Sequence, residues 1–399
     1  MQIPYFISTG EPSGDLLAAD LVRSLQEQMP LAKPFGIVGP QLRKAGVEEV
    51  FGIEDLSVMG FVDVIRHFVP IKTLEDRLMV YMERLKPRFI VLVDYPGFHM
   101  HFAERLMGYD IPIFQYVAPQ LWAWGEKRVT RLRRVTDKVL GIMPFEQKFF
   151  RERGVDFTYV GTPQVDRAAN LGDWQSAFLF SAGAKVVGLF PGSRRGEVSR
   201  ILPSMMKIAR VLLAKDEGLE IAISMADSIE LGFFLQHLGG CEDKNLEEIK
   251  EQIEKKGQVE IENRIHVVSS RSLQLMKRVD AALVTSGTAT LECALTATPM
   301  AVIYVAGAVT YAIGKRLVKL DHISLVNLVA NKALVNEYIQ NIEPEKIAHH
   351  LLSLIKDPDL SKKAVLELSS LTSKLKGKPG FHASRAILEH LNLAGLNDT

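Results

Sequence analysis

Short runs of consecutive apolar residues alternate with longer stretches of helical periodicity along the whole chain. In the first half the runs lie at 3–8, 35–38, 89–93, 113–117 and 138–142. In the second they lie at 186–190, 220–224, 265–268, 281–284 and 300–304. A strand that is apolar at every position is buried on both faces, as in a parallel sheet covered by helices. Such runs separated by helical segments predict βαβ units. Two series of them predict an α/β chain with two Rossmann-like domains. The join is expected near 162–185, where Gly161, Pro163, Gly172 and Gly183 punctuate the sequence. The expected domains are 1–165 and 166–370. A terminal helix at 371–399 packs either on the first domain or on a partner chain. A central cleft between two such domains, at the carboxyl ends of the strands, is the default ligand site. The charged stretch 239–263 reads as a solvated helix with flanking loops.

Composition narrows the class. The chain has 399 residues, 47% of them hydrophobic, enough for two ordinary cores. A formal net charge of +1 gives no support to nucleic-acid binding. Cys241 and Cys293 suit neither a disulfide framework nor a zinc site, which fits a reducing cytosol. The N-terminus enters its first strand without a basic region, so no secretory leader is expected. No apolar run is long enough to span a bilayer.

The most informative stretch is SGTATLE at 286–292. It follows a buried run and opens a helix expected over 289–297. The first N–H groups of a helix lack internal partners, and the helix dipole is positive at that end. Ser286, Thr288 and Thr290 supply hydroxyls there, alongside Gly287 and Ala289. Glu292 lies one turn in, where a carboxylate can take ribose hydroxyls. A simple hydroxyl-capped helix has the same pattern. A second loop of this kind, Pro191-Gly192-Ser193-Arg194, follows the run at 186–190. Arg194 carries a fixed charge and a planar fork for two phosphate oxygens. As a bare surface arginine it would oppose the dipole of the helix it begins. Neither loop is a Walker A or a GxGxxG motif.

The first half carries its own candidates. Gly10-Glu11-Pro12-Ser13-Gly14-Asp15 follows the first strand. Asp94 ends the run at 89–93, where a carboxylate either accepts a substrate proton or caps the next helix. Asp15 reads as a first-turn helix acid. His99 and His101 lack the spacing of a metal pair. Residues 59–79 place Phe61, Val62, Ile65, Phe68 and Val69 on one apolar face, which suits either an acyl-binding or interfacial segment or a core helix. Lys127, Arg128, Arg131, Arg134 and Lys138 recur at helical spacing, as a lipid-phosphate face or as a plain solvated one. Asp357 and Asp359 read as helix punctuation.

Taken together, these blocks resemble lipid-A-disaccharide synthase, an inverting glycosyltransferase family of the GT-B fold. The blocks are GEPSGD at 10–15, VMGFVDV at 58–64, VDYPGF at 93–98, YVAPQLWAWGEKRV at 116–129 and PFE at 144–146. PGSRRGEV at 191–198, SGTATLE at 286–292, KRLVK at 315–319 and ISLVNLVAN at 323–331 complete the set. The resemblance implies two Rossmann-like domains with parallel sheets facing a central cleft. It implies transfer of the diacylglucosamine unit of UDP-2,3-diacylglucosamine to 2,3-diacylglucosamine 1-phosphate, giving a β-1,6-linked disaccharide 1-phosphate and UDP. By the same resemblance, Arg194, the 286–290 turn and Asn327 bind UDP, and Glu292 meets the ribose. Asp94 is the essential carboxylate, and Glu11 and Ser13 belong to the cleft loop. No metal or other cofactor is implied. A peripheral place on the cytoplasmic face of the inner membrane of a Gram-negative-type bacterium goes with the resemblance, and a homodimer is left open.

Some positions depart from the family pattern: Pro12, Gly97, His99, Gly125, Thr162, Val326 and Asn331. The alternatives are another UDP-sugar enzyme of the GT-B fold, such as a 2-epimerase, or a non-catalytic sugar-nucleotide-binding relative.

Overall fold

The computed structural model describes residues 2–57, 68–123, 125–172, 178–239, 246–307 and 321–392, with the backbone alone at 57 and 68–72. Two compact units emerge, Met1–Pro163 with Lys376–Thr399, and Gln164–Leu375.

The first unit is built on seven parallel strands. They are β1 (Ile3–Thr9), β2 (Ala32–Val38), β3 (Glu48–Gly52), β4 (Ile90–Val93), β5 (Ile113–Tyr116), β6 (Lys138–Gly141) and β7 (Phe157–Tyr159). Their order in the sheet is β3-β2-β1-β4-β5-β6-β7. The apolar runs of the first half become the five inner strands. All four residues of β4 are buried, as a strand covered on both faces requires. The edge strands β3 and β7 fall outside the expected set. The order reverses between β1 and β4, so the loops leaving these two strands part and open a crevice at their carboxyl ends.

Helix Pro12–Gln28 buries Ala18, Ala19, Leu21, Val22 and Leu25. Pro12 occupies its first turn, where a missing N–H costs nothing. Helix Pro379–His390 packs against helix Pro12–Gln28. A Cβ at Gly380 would stand 2.8 Å from the Asp20 carbonyl carbon, so glycine sets the closeness of that contact.

The second unit repeats the plan. Its strands are β8 (Lys185–Phe190), β9 (Leu219–Met225), β10 (Gln258–Glu262), β11 (Ile265–Ser269), β12 (Ala281–Thr285), β13 (Met300–Tyr304) and β14 (Glu337–Ile339). The order is β10-β11-β9-β8-β12-β13-β14, and β10 alone runs antiparallel. One face packs Val198, Ile201 and Leu351 from helices Arg195–Lys215 and Pro344–Lys356. The other packs Leu275, Cys293 and Leu368 from helices Ser272–Arg278, Thr288–Leu295 and Pro358–Thr372. Here the order reverses between β8 and β12.

The charged stretch 239–263 is more than a solvated helix. Its helix is Leu246–Lys256, and the chain then pairs as strand β10. Val259 and Ile261 are buried while Glu260 is exposed, a half-buried edge alternation. Asp357 caps helix Pro358–Thr372, accepting from the N–H groups of Asp359 and Leu360.

Candidate active site

Both reversal points carry the loops singled out in the sequence. In the first unit they are the 10–15 turn after β1 and Asp94 after β4. A Cβ on Gly10 would fall 2.4 Å from the Tyr95 ring, and one on Gly14 would fall 2.5 Å from Thr9 Oγ1 and 3.5 Å from Asp94 Cβ. Both glycines therefore let the first turn close on Asp94 and Tyr95. Asp94 and Tyr95 stand at φ 55° and 47°, two successive residues in the left-handed region. Strain of this kind persists only where neighbours hold it.

The holding groups are His99 and Gln115. His99 is fully buried, and burial pushes its pKa down to about 4, so the ring is neutral at pH 7. A carbonyl only accepts, so Nδ1–H donates to Asp94 O at 2.7 Å. Nε2 then accepts from Ser8 Oγ at 2.9 Å. Gln115 Nε2 donates to Asp94 O at 3.4 Å and Val117 O at 3.3 Å. Burial raises the Asp94 carboxyl above the ordinary aspartate range, against the opposing N–H of Tyr95. Glu11 and Ser13 are exposed beside it. Asp15 is buried and structural: its carboxylate accepts from the N–H groups of Gly39, Gln41 and Leu42.

In the second unit the two loops are Pro191–Arg194, after β8, and Ser286-Gly287, after β12. Gly192 has φ 104°, and a Cβ there would lie 2.6 Å from Glu197 Oε2. Arg194 is the N-cap of helix Arg195–Lys215 and has a side chain 82% exposed, only loosely joined to Glu197 at 3.5 Å. Gly287 is the N-cap of helix Thr288–Leu295, and a Cβ on it would meet nothing within 4 Å. The three hydroxyls are not equivalent. Ser286 donates to Ile323 O at 3.0 Å and Thr290 to Gly287 O at 2.8 Å. Thr288 is exposed at the helix start, beside half-buried Ala289. Glu292 is buried and paired with Arg167 at 2.7 Å. Burial raises its carboxyl, against the opposing charge of Arg167.

Asn327 is placed differently from a direct ligand contact. It is fully buried, and its amide is saturated. Nδ2 donates to Val335 O and Glu337 Oε1, both at 2.9 Å, and Oδ1 accepts from Leu334 N and Val335 N. Glu337 also accepts from the N–H groups of Ile323 and Ser324 and from the Ser324 hydroxyl. The network thus ties helix Leu325–Ala330 to the segment that receives Ser286. Asn331 ends that helix at φ 52°, a conformation asparagine tolerates where glycine is usual. Asn327→Ala takes a partner from the Leu334 and Val335 N–H groups and from the Val335 carbonyl, while Glu337 keeps its bonds from Ile323 and Ser324. The expected loss is on the order of 3 kcal/mol of stability, read by denaturant unfolding.

The basic face is partly neutralised. Arg131 makes a bidentate pair with Glu104 at 2.8 and 2.7 Å, and Arg134 reaches the same carboxylate at 2.8 Å. Lys138 pairs with Asp156 at 2.6 Å. Lys127 and Arg128 are exposed. Phe61, Val62 and Ile65 lie outside the described residues, as do the side chains of Phe68 and Val69. The VMGFVDV and KRLVK blocks lie outside them too.

Sequence reasoning singled out neither Arg167 nor Glu337, and it took Glu146 only as part of the PFE block. Glu146 is buried in the PFE block, accepting from Trp122 Nε1 at 3.1 Å and Met143 N at 3.3 Å. Burial pushes it up to about 8. The folded state then holds a proton that the unfolded chain releases near the ordinary glutamate pKa, so stability falls as pH rises from there toward 8. Glu146→Gln removes that fall. Its melting temperature should gain on the wild type between pH 5 and pH 8; a constant difference would contradict the buried, protonated carboxyl.

A profile of the lipid-A-disaccharide synthetase family matches residues 5–384. The chain belongs to the lipid-A-disaccharide synthase family. A lipid-A-disaccharide synthase of Syntrophus aciditrophicus is 36% identical over 396 residues, 98% of each chain. One of Trichlorobacter lovleyi is 35% identical over 375 residues, 93% of each. Among solved structures, the UDP-GlcNAc 2-epimerase of Neisseria meningitidis, bound to UDP-GlcNAc, aligns with TM-score 0.61 at 12% identity over 98% of this chain and 100% of its own. MurG of Acinetobacter baumannii aligns with TM-score 0.54 at 13% identity over 98% and 100%. At such identities the likeness is one of fold, the GT-B fold of two Rossmann-like units. The family membership makes this chain a glycosyltransferase.

Proposed function

We propose that the chain transfers the diacylglucosamine unit of UDP-2,3-diacylglucosamine to the 6-hydroxyl of 2,3-diacylglucosamine 1-phosphate. The observation that carries this reading is the placement of family blocks at both chain reversals, with Asp94 raised by burial and Arg194 exposed at a helix start. In the reaction the acceptor oxygen bonds to the sugar C1, and the bond from C1 to the diphosphate breaks on the opposite face. The hydroxyl proton passes to Asp94, whose raised pKa suits a base. The departing UDP gathers negative charge. Arg194 and the free N–H groups at the start of helix Thr288–Leu295 meet that charge, and Thr288 adds a hydroxyl. Glu292 accepts ribose hydroxyls. Ser286, Thr290 and Asn327 hold the turn in shape through their internal bonds. Glu11 and Ser13 line the Asp94 loop.

The test is UDP release from the acylated donor. Release that depends on the acylated sugar phosphate supports the reading. Release of UDP, or epimerisation of the sugar, independent of that acceptor would overturn it.

The same reading brings the protein to a membrane surface, because both substrates carry acyl chains. Among the described residues no helix is long and apolar enough to cross a membrane. Arg131 and Arg134 are engaged by Glu104, while exposed Lys127 lies on the same face, and a basic residue near an anionic surface contributes about 1 kcal/mol. Binding to anionic liposomes should weaken as salt rises. It should weaken again when Phe61, Val62 and Phe68 are made polar in a protein that still folds. Cosedimentation reads both effects, and no binding at low salt would contradict the membrane role.

A further inference from the structure

We propose that Arg167 is a positioning residue for Glu292, keeping that carboxylate ionised and aimed for the ribose hydroxyls of the bound nucleotide. The inference rests on the ribose role given to Glu292 above. Glu292 is 8% exposed, one turn into helix Thr288–Leu295. An ionised carboxylate only accepts, so it serves two hydroxyl donors, whereas a protonated one loses acceptor capacity. Burial works against the ionised form. The guanidinium 2.7 Å from Oε1 works for it and cannot lose its own charge. Oε2 has no donor among the described residues, so one oxygen is anchored and the other is left for a ligand.

The surrounding charges do not replace Arg167. Neighbouring Cys293 is buried, and burial pushes its thiol up, so it stays neutral. Helices Ser272–Arg278, Leu325–Ala330 and Pro358–Thr372 and strand β12 pack against the helix that carries Glu292. Lys277 donates to Thr296 O, and Arg278 lies over the Phe180 ring. Helix Leu325–Ala330 and β12 carry no charged residue. Helix Pro358–Thr372 carries Asp359, Lys362, Lys363 and Glu367, the last paired with Lys332. Asp166 precedes Arg167 on their own helix. Among the described residues, Arg167 is the one cation paired with Glu292. Its side chain is 60% exposed, so the pair adds little to folding, and its effect belongs to nucleotide binding.

The experiment is calorimetry of UDP and 2′-deoxy-UDP with the full-length protein at about pH 5.5 and about pH 8. The variants are Arg167→Gln, Arg167→Lys and Glu292→Gln. Titration of the nucleotide phosphate is common to all and cancels in ratios to the wild type. Arg167→Gln should bind UDP nearly as the wild type does at the higher pH. It should fall about tenfold behind at the lower, because burial without the opposing guanidinium favours the protonated carboxyl, which accepts poorly. Arg167→Lys should restore much of the low-pH affinity. An equal loss at both pH values would mark a general structural role and overturn the proposal, as would wild-type affinity of Arg167→Gln at both. If Glu292→Gln keeps the wild-type preference for UDP over 2′-deoxy-UDP, the ribose role of Glu292 itself fails. If that preference is lost while Arg167→Gln behaves as the wild type, only the role of Arg167 fails.

Discussion

Asp94→Asn should bind UDP normally and lose transfer by about 10²–10⁴-fold, the usual worth of a general base. The side chains are nearly the same size, so the substitution tests the carboxylate and not the packing. The left-handed backbone at 94 and 95 suits asparagine as well as aspartate. The bond from His99 Nδ1 goes to the Asp94 carbonyl, which the substitution leaves in place. Calorimetry with UDP and single-turnover kinetics separate the two effects. In the wild type, kcat/KM should fall on acidification through a pKa above that of an ordinary aspartate, because burial disfavours the charge the base needs. Near-normal turnover in folded Asp94→Asn would remove Asp94 as the base.

Arg194→Ala should weaken UDP binding by about ten- to a hundredfold, the equivalent of about 1.5–3 kcal/mol for hydrogen bonds to a charged group. The free protein gives the arginine little to do. Its side chain is 82% exposed, its contact with Glu197 is long, and its charge sits at the positive end of a 21-residue helix. Removing it should therefore leave thermal stability unchanged or slightly higher while affinity falls. Arg194→Lys keeps the charge but not the planar fork, so it should recover only part of the loss. Calorimetry beside a melting curve reads this split. Unchanged affinity in Arg194→Ala would place the diphosphate elsewhere.

The inner strands were legible because a parallel strand covered on both faces leaves a solid apolar run, as IVLV in β4 does. The four missed strands, β3, β7, β10 and β14, are the four sheet edges. An edge strand is short and half exposed, so its run is broken by charges, as in QVEIE of β10 and EYI of β14. The site loops were legible for a related reason. In a βα unit the functional turn directly follows its strand, so finding β1, β4, β8 and β12 also finds Gly10, Asp94, Gly192 and Gly287.

What stayed hidden was the pairing across distance. Ser8 and His99 are 91 positions apart, and no local pattern joins them. Arg167 reaches Glu292 from a helix that reads as an ordinary surface segment. Glu337 sits on an edge strand, so its capping of the 323–327 turn had no sequence signal. Arg131 and Arg134 looked like a free basic face because their common partner, Glu104, lies on another helix. The spacing of one helix shows which charges share a face. It does not show which of them another element has already neutralised.

The central claim is tested most directly by incubating the purified protein with UDP-2,3-diacylglucosamine and 2,3-diacylglucosamine 1-phosphate and identifying the product by mass spectrometry and NMR. The account predicts one tetraacylated β-1,6-linked disaccharide 1-phosphate per UDP released, and its loss in Asp94→Asn. Intact substrates, or UDP released with no new glycosidic bond, would contradict it.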